Sequence, residues 1–237
     1  MDREYRKWRS PTLGKDMKML IFGTEGTPVI IFPSENGNYK EWEERGGIDI
    51  VEEQINKGFN QFFCVDSVFG ESFFNSDVSP LVRMKRFTQY QNYIIEELLP
   101  FIADLNSNPF IINAGAGLGA YTSLLLALKF PKKFDKVIGV SGYYDINGHM
   151  DNLKDDSIYY NNPVDFIPNL NDQTILKDIN TVDIRLLSYQ NDPNRNATEK
   201  MSEILWLKFI DHEYYVWDEQ TSSPWNLIPK MFRDNLF

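Results

Sequence analysis

The segment Ile112-Asn113-Ala114-Gly115-Ala116-Gly117-Leu118-Gly119-Ala120-Tyr121 joins a short apolar strand to a helix, and its glycine spacing fits three kinds of turn. Gly115-x-Gly117-x-x-Ala120 matches the dinucleotide fingerprint, in which glycines let a pyrophosphate approach a helix N-terminus. The turn comes late in the chain for that role. The next strand ends in Gly139-Val140-Ser141, with no acid at its tip to hold a ribose. Gly115-Ala116-Gly117-Leu118-Gly119 has the outer glycines of the G-x-S-x-G elbow, a strained strand-to-helix turn that presents a serine nucleophile. Gly117 stands where that serine would be. Glycine adopts the elbow backbone without strain but has no hydroxyl to offer. In the third reading the glycines only let a helix pack close to a sheet.

Bases are scarce. The chain has two histidines, His149 and His212, and hydrolytic mechanisms commonly draw their base from this residue type. Its one cysteine, Cys64, cannot form an intrachain disulfide, which points to a reducing, cytoplasmic setting. The net charge of −10 disfavours nucleic acid and anionic membrane surfaces as partners. The N-terminus shows no apolar leader, and no apolar run approaches a membrane span.

The elements that would position these residues alternate between short apolar runs and longer amphipathic ones. Tyr5–Arg9 and Lys18–Phe22 flank the turn Ser10-Pro11-Thr12-Leu13-Gly14 and predict an opening antiparallel hairpin. Strands are predicted at Pro28–Phe32, Phe59–Val65, Phe110–Ile112, Lys136–Val140, Asp183–Tyr189 and Tyr214–Trp217. Ser79-Pro80 opens a long helix carrying Tyr90, Ile94, Ile95, Leu98, Leu99 and Ile102 on one face. Further helices are predicted at Leu118–Phe130, Ala197–Phe209 and Trp225–Phe232. This alternation predicts an α/β fold: a mostly parallel sheet of about eight strands with helices on both faces. One domain is expected over residues 1–237, with an irregular, cap-like insertion at about 143–180.

Taken together, these segments resemble the esterase branch of the α/β-hydrolases, the Putative esterase family. The resemblance spans nearly the whole chain. It rests on Tyr5–Gly14, Gly26–Pro33, Phe63–Val68 with Glu71-Ser72, Gly119-Ala120-Tyr121, Phe130-Pro131, Phe134-Asp135 and Ser141–Asp145. Asn161–Asp165 and Asn191-Asp192-Pro193 add to it. It implies the α/β-hydrolase fold and ester hydrolysis through a serine, an acid and a histidine, in that chain order. Carried over residue by residue, the nucleophile falls on Gly117 and the acid on Asp192. The bland reading of Asp192, a turn residue of Asn-Asp-Pro, stands beside that role. The histidine is expected between Trp217 and the last helix, where Asp218–Trp225 contains none. The oxyanion loop falls on Ser34 and Glu35, with its second donor at Leu118. A carboxylate at Glu35 opposes oxyanion binding there unless it points to solvent.

The resemblance therefore implies an esterase-like chain whose serine chemistry is lost and which acts by binding a small molecule or a protein partner, with no cofactor or metal. Asp66, Ser67, Tyr121 and Tyr143, with Tyr144, are the expected pocket residues. The competing reading is an active ester hydrolase with a displaced serine, drawn from Ser34, Ser67 or Ser123 and assisted by Asp66 or Asp192. Asp192 is expected at the C-terminal end of its strand, facing the elbow. His212 is expected at the opposite strand end, and His149 at the surface.

Overall fold

The computed structural model describes residues 1–236. The strands are β1 (Arg3–Ser10), β2 (Lys15–Phe22), β3 (Thr27–Phe32), β4 (Asn60–Val65), β5 (Ile112–Gly117), β6 (Lys136–Gly142), β7 (Asp183–Tyr189) and β8 (Glu213–Trp217). They form one eight-stranded sheet in the order β1-β2-β4-β3-β5-β6-β7-β8. The β1–β2 and β2–β4 pairs are antiparallel, and every other pair is parallel. β1 lies at an edge, and its exposed Arg3, Glu4, Arg6 and Lys7 discourage pairing with a further strand.

Alternation along each central strand feeds two cores. Ile30, Phe32, Phe63 and Val65 pack on one face, and Val29, Ile31, Phe62 and Cys64 on the other. Both faces are covered, so these strands read as unbroken apolar runs. The first face is covered by α1 (Pro80–Tyr93) and α2 (Leu118–Lys129), and α3 (Arg195–Leu207) adds Met201 and Leu205 to it. The second is covered by α4 (Ile228–Arg233) and the short helices between Glu41 and Asn56. α1 runs on through a π-helical turn, Ile94–Leu98, into Leu99–Leu105. Pro100, which has no N–H to give, stands two residues past the end of that turn. Among the described residues no helix is long and apolar enough to cross a membrane.

Two elements differ from the sequence reading. The fifth strand is Ile112–Gly117 rather than Phe110–Ile112, because the glycine-alanine run is itself extended and fully buried. Ile112, Ala114 and Ala116 face the second core, which leaves Asn113, Gly115 and Gly117 on the face toward α2. The stretch 143–180 holds several short helices. Two of its aspartates act as N-caps: Asp155 accepts from the Ser157 N–H, and Asp172 from those of Thr174 and Ile175.

β5 and α2 touch at their backbones. A Cβ at Gly115 would lie 2.4 Å from the Gly119 carbonyl carbon, and one at Gly119 would lie 2.5 Å from the Phe32 carbonyl oxygen. The outer glycines thus serve close packing. Gly115→Ala is expected to cost about 1–3 kcal/mol in urea unfolding, since backbone rather than a side-chain tip must yield. Gly70→Ala, which points into open space, is the control and should change little.

Candidate functional site

The elbow backbone is present. Gly117 has φ 57° and ψ −120°, a conformation that L side chains adopt only with strain. It closes β5 and hands over directly to α2, whose first residue is Leu118. The Tyr143 N–H donates to the Gly117 carbonyl at 3.3 Å, which ties the end of β5 to the chain leaving β6.

Glu35 fills the space that a side chain at position 117 would take. Its Oε1 accepts from the Leu118 N–H at 3.0 Å. A Cβ built on Gly117 would lie 2.1 Å from that same oxygen and 2.6 Å from the carboxylate carbon. The side chain points inward, and its charge also draws on its own backbone N–H. Burial raises the Glu35 carboxyl above the usual range; the two N–H groups oppose this and the Glu41 charge adds to it.

The loop bearing Glu35 is folded around Glu41. The buried Glu41 carboxylate accepts from the Ser34 N–H at 2.8 Å and from the Ser34 hydroxyl at 2.5 Å. Ser34, expected in the oxyanion loop, is therefore bound to an acid that the sequence reading did not single out. The available signal was the spacing: Glu41 opens the short helix just after the loop.

Asp192 follows β7 and is 8% exposed. Its Oδ1 accepts from the Ser141 hydroxyl at 2.6 Å and from the Asn194 N–H at 2.8 Å. Its Oδ2 is buried and has no hydrogen-bond partner among the described residues. Ser141 sits near the end of β6, just before Gly142, which pairs with Gly117 across a register shift. Its φ of 51° is strained for a serine, and the Asn194 side-chain amide donates to its carbonyl at 3.0 Å. Ser141 and Asn194 were missed in the sequence. A left-handed serine gives no signal there beyond the Ser-Gly step that ends an apolar strand.

The loop after β8 runs beside Asp192. Thr221 and Asn191 bond through both edges of the Asn191 amide, and the Gln190 N–H donates to the Glu219 carbonyl. This is the stretch where a histidine was expected, and none occurs in it. His212 stands before β8. Its Nδ1 lies 2.9 Å from the Ile210 carbonyl and its Nε2 2.7 Å from the Ser202 hydroxyl, so both ring nitrogens are engaged at the far end of the strand. His149 is half-buried rather than on the surface, with its ring against Phe73, Phe74 and Tyr143. Burial, followed by the Arg83 charge, lowers its pKa and favours the neutral ring.

A cavity of about 380 Å³ opens beside Glu35, lined by Lys15, Asn36, Asp66, Ser67 and Phe74 among others. Asp66 and Ser67 line this cavity. Tyr143 is half-buried near the elbow. Tyr121 does not line a pocket: it is fully buried between Phe73 and Phe87, and its hydroxyl donates to the Asn161 carbonyl at 2.6 Å. Its position near the start of α2 turns it into the first core. Tyr144 is likewise fully buried. Larger clefts, of about 440 and 420 Å³, lie over the 147–169 segment and beside residues 95–111, away from the elbow.

Of the other serines, Ser123 is buried and donates to the Gly119 carbonyl within α2. Cys64 is buried in the sheet, and burial pushes its thiol up, away from reactivity. Among the described residues no group of three or more His, Cys, Asp or Glu side chains could hold a metal ion. A pyrophosphate on the glycine turn would need the α2 N-terminus, where the Glu35 carboxylate already stands.

Residues 10–227 match the model of the family described as Putative esterase. Among solved structures, a ferulic acid esterase is 13% identical with a TM-score of 0.72, over 98% of both chains. An S-formylglutathione hydrolase from Agrobacterium tumefaciens is 13% identical with a TM-score of 0.74, over 99% of this chain and 92% of that one. The Staphylococcus aureus S-formylglutathione hydrolase is 12% identical with a TM-score of 0.66, over 98% and 94%. No curated protein sequence matches this chain. At these identities the structural likeness establishes the fold, and that fold is the α/β-hydrolase.

Proposed function

This chain belongs to the Putative esterase family, and we propose that it has exchanged serine-ester hydrolysis for binding a small molecule or a protein partner at the same site. The observation that carries the proposal is Glu35. A carboxylate bonded to Leu118 N–H fills the space of the nucleophile, and Gly117 provides the room for it. A serine there would collide with that carboxylate. An ester carbonyl would compete with it for a donor.

The remaining acid supports the same reading. Asp192 is held by Ser141 and Asn194, yet its Oδ2 has no histidine to orient. The cavity beside Glu35 offers a ligand Asp66, Ser67, Lys15 and the Phe74 ring. The test is exposure of the folded protein to a fluorophosphonate, followed by peptide mass mapping. No serine is expected to carry the label. A stoichiometric adduct on Ser34, Ser67, Ser123 or Ser141 would overturn the proposal and restore a displaced-serine hydrolase.

A further inference from the structure

We propose that the Glu35 side chain is an internal plug, seated on the Leu118 N–H at the start of α2 when no ligand is present and required to leave before the site opens. This rests on the reading above, that the site binds rather than hydrolyses.

The plug needs a second position for the side chain besides the observed one. In the observed one, Oε1 takes the Leu118 N–H at 3.0 Å and the carboxylate overlies Gly117. The same residue also lines the 380 Å³ cavity, together with Lys15. A swing about the glutamate side-chain bonds would carry the carboxylate toward the open space of that cavity, where the Lys15 ammonium is already paired with Glu71. The backbone need not move, because Ser34, one residue earlier, is fixed to Glu41 through its N–H and its hydroxyl. The anchor and the plug are therefore adjacent residues with separate partners. Gly117 completes the arrangement: any larger side chain there would hold the plug out permanently.

If Glu35 is the resident anion, removing its carboxylate leaves the Leu118 donor empty, and a small carboxylate should replace it. The experiment compares unmodified protein, Glu35→Ala and Glu35→Gln in thermal unfolding, with sodium acetate against sodium chloride at equal ionic strength and pH. Glu35→Ala is expected to gain an acetate-specific rise in Tm of about 3 °C when acetate is in roughly tenfold excess over its Kd. The unmodified protein and Glu35→Gln, whose side-chain oxygen still fills the hole, are expected to show none. Glu35→Ser serves as a second opened variant should Glu35→Ala not fold. No acetate-specific rise in a folded opened variant would overturn the plug, as would an equal rise in the unmodified protein. Neither result depends on serine labelling, so the plug and the loss of hydrolysis fail separately.

Discussion

Gly117→Ser is expected to destabilise the protein by about 2–5 kcal/mol without creating an esterase. The first cost is the backbone. At φ 57° and ψ −120°, a residue with a Cβ carries about 1–3 kcal/mol of strain. The second is eviction. The new side chain cannot coexist with the Glu35 carboxylate, so the bond to the Leu118 N–H is lost, worth about 1–2 kcal/mol for a part-buried, charge-assisted contact. At about 2–4 °C per kcal/mol for a chain of this size, the Tm should fall by roughly 4–20 °C. Glu35→Ala removes only the second cost. Made in that background, Gly117→Ser should cost less than it does alone, by about 1–2 kcal/mol. Urea unfolding of the two single variants and the double variant measures this coupling. Strict additivity would mean that Glu35 and Gly117 do not share the site.

Much of this arrangement was legible before any coordinates. The glycine spacing marked the elbow at Gly117, the family resemblance carried the acid over to Asp192, and the alternation of apolar runs gave the parallel sheet with its opening hairpin. Glu35 was legible as a residue type in the oxyanion loop, but its direction was not. Whether a loop carboxylate turns out to water or in to a helix start depends on what anchors the loop, and here the anchor is the buried Glu41. Tyr121 misled because a tyrosine beside an elbow reads equally as pocket or core, and only the packing of Phe73 and Phe87 decides it. His149 likewise depends on contacts made by Phe73, Phe74 and Tyr143 from distant parts of the chain. The strand at Ile112–Gly117 escaped the pattern because small residues carry little strand preference, while close packing on α2 demands them.

The largest expected effect is on turnover. A serine, a histidine and an acid act as a unit, and loss of the serine or the histidine alone lowers kcat on the order of a million-fold. On the function proposed above, Gly117 stands at the first position and the loop after β8 holds no histidine, so the second absence adds little to the first. What an emptied site commonly retains, roughly a thousand-fold over water, comes from binding and oxyanion donors. Here the Leu118 donor is already taken by Glu35, which lowers that residue further. The direct measurement is p-nitrophenyl acetate hydrolysis by the unmodified protein, with and without prior treatment by a serine-directed fluorophosphonate. Turnover close to buffer and unchanged by the inhibitor is expected. Inhibitor-sensitive turnover well above buffer would contradict the proposed function.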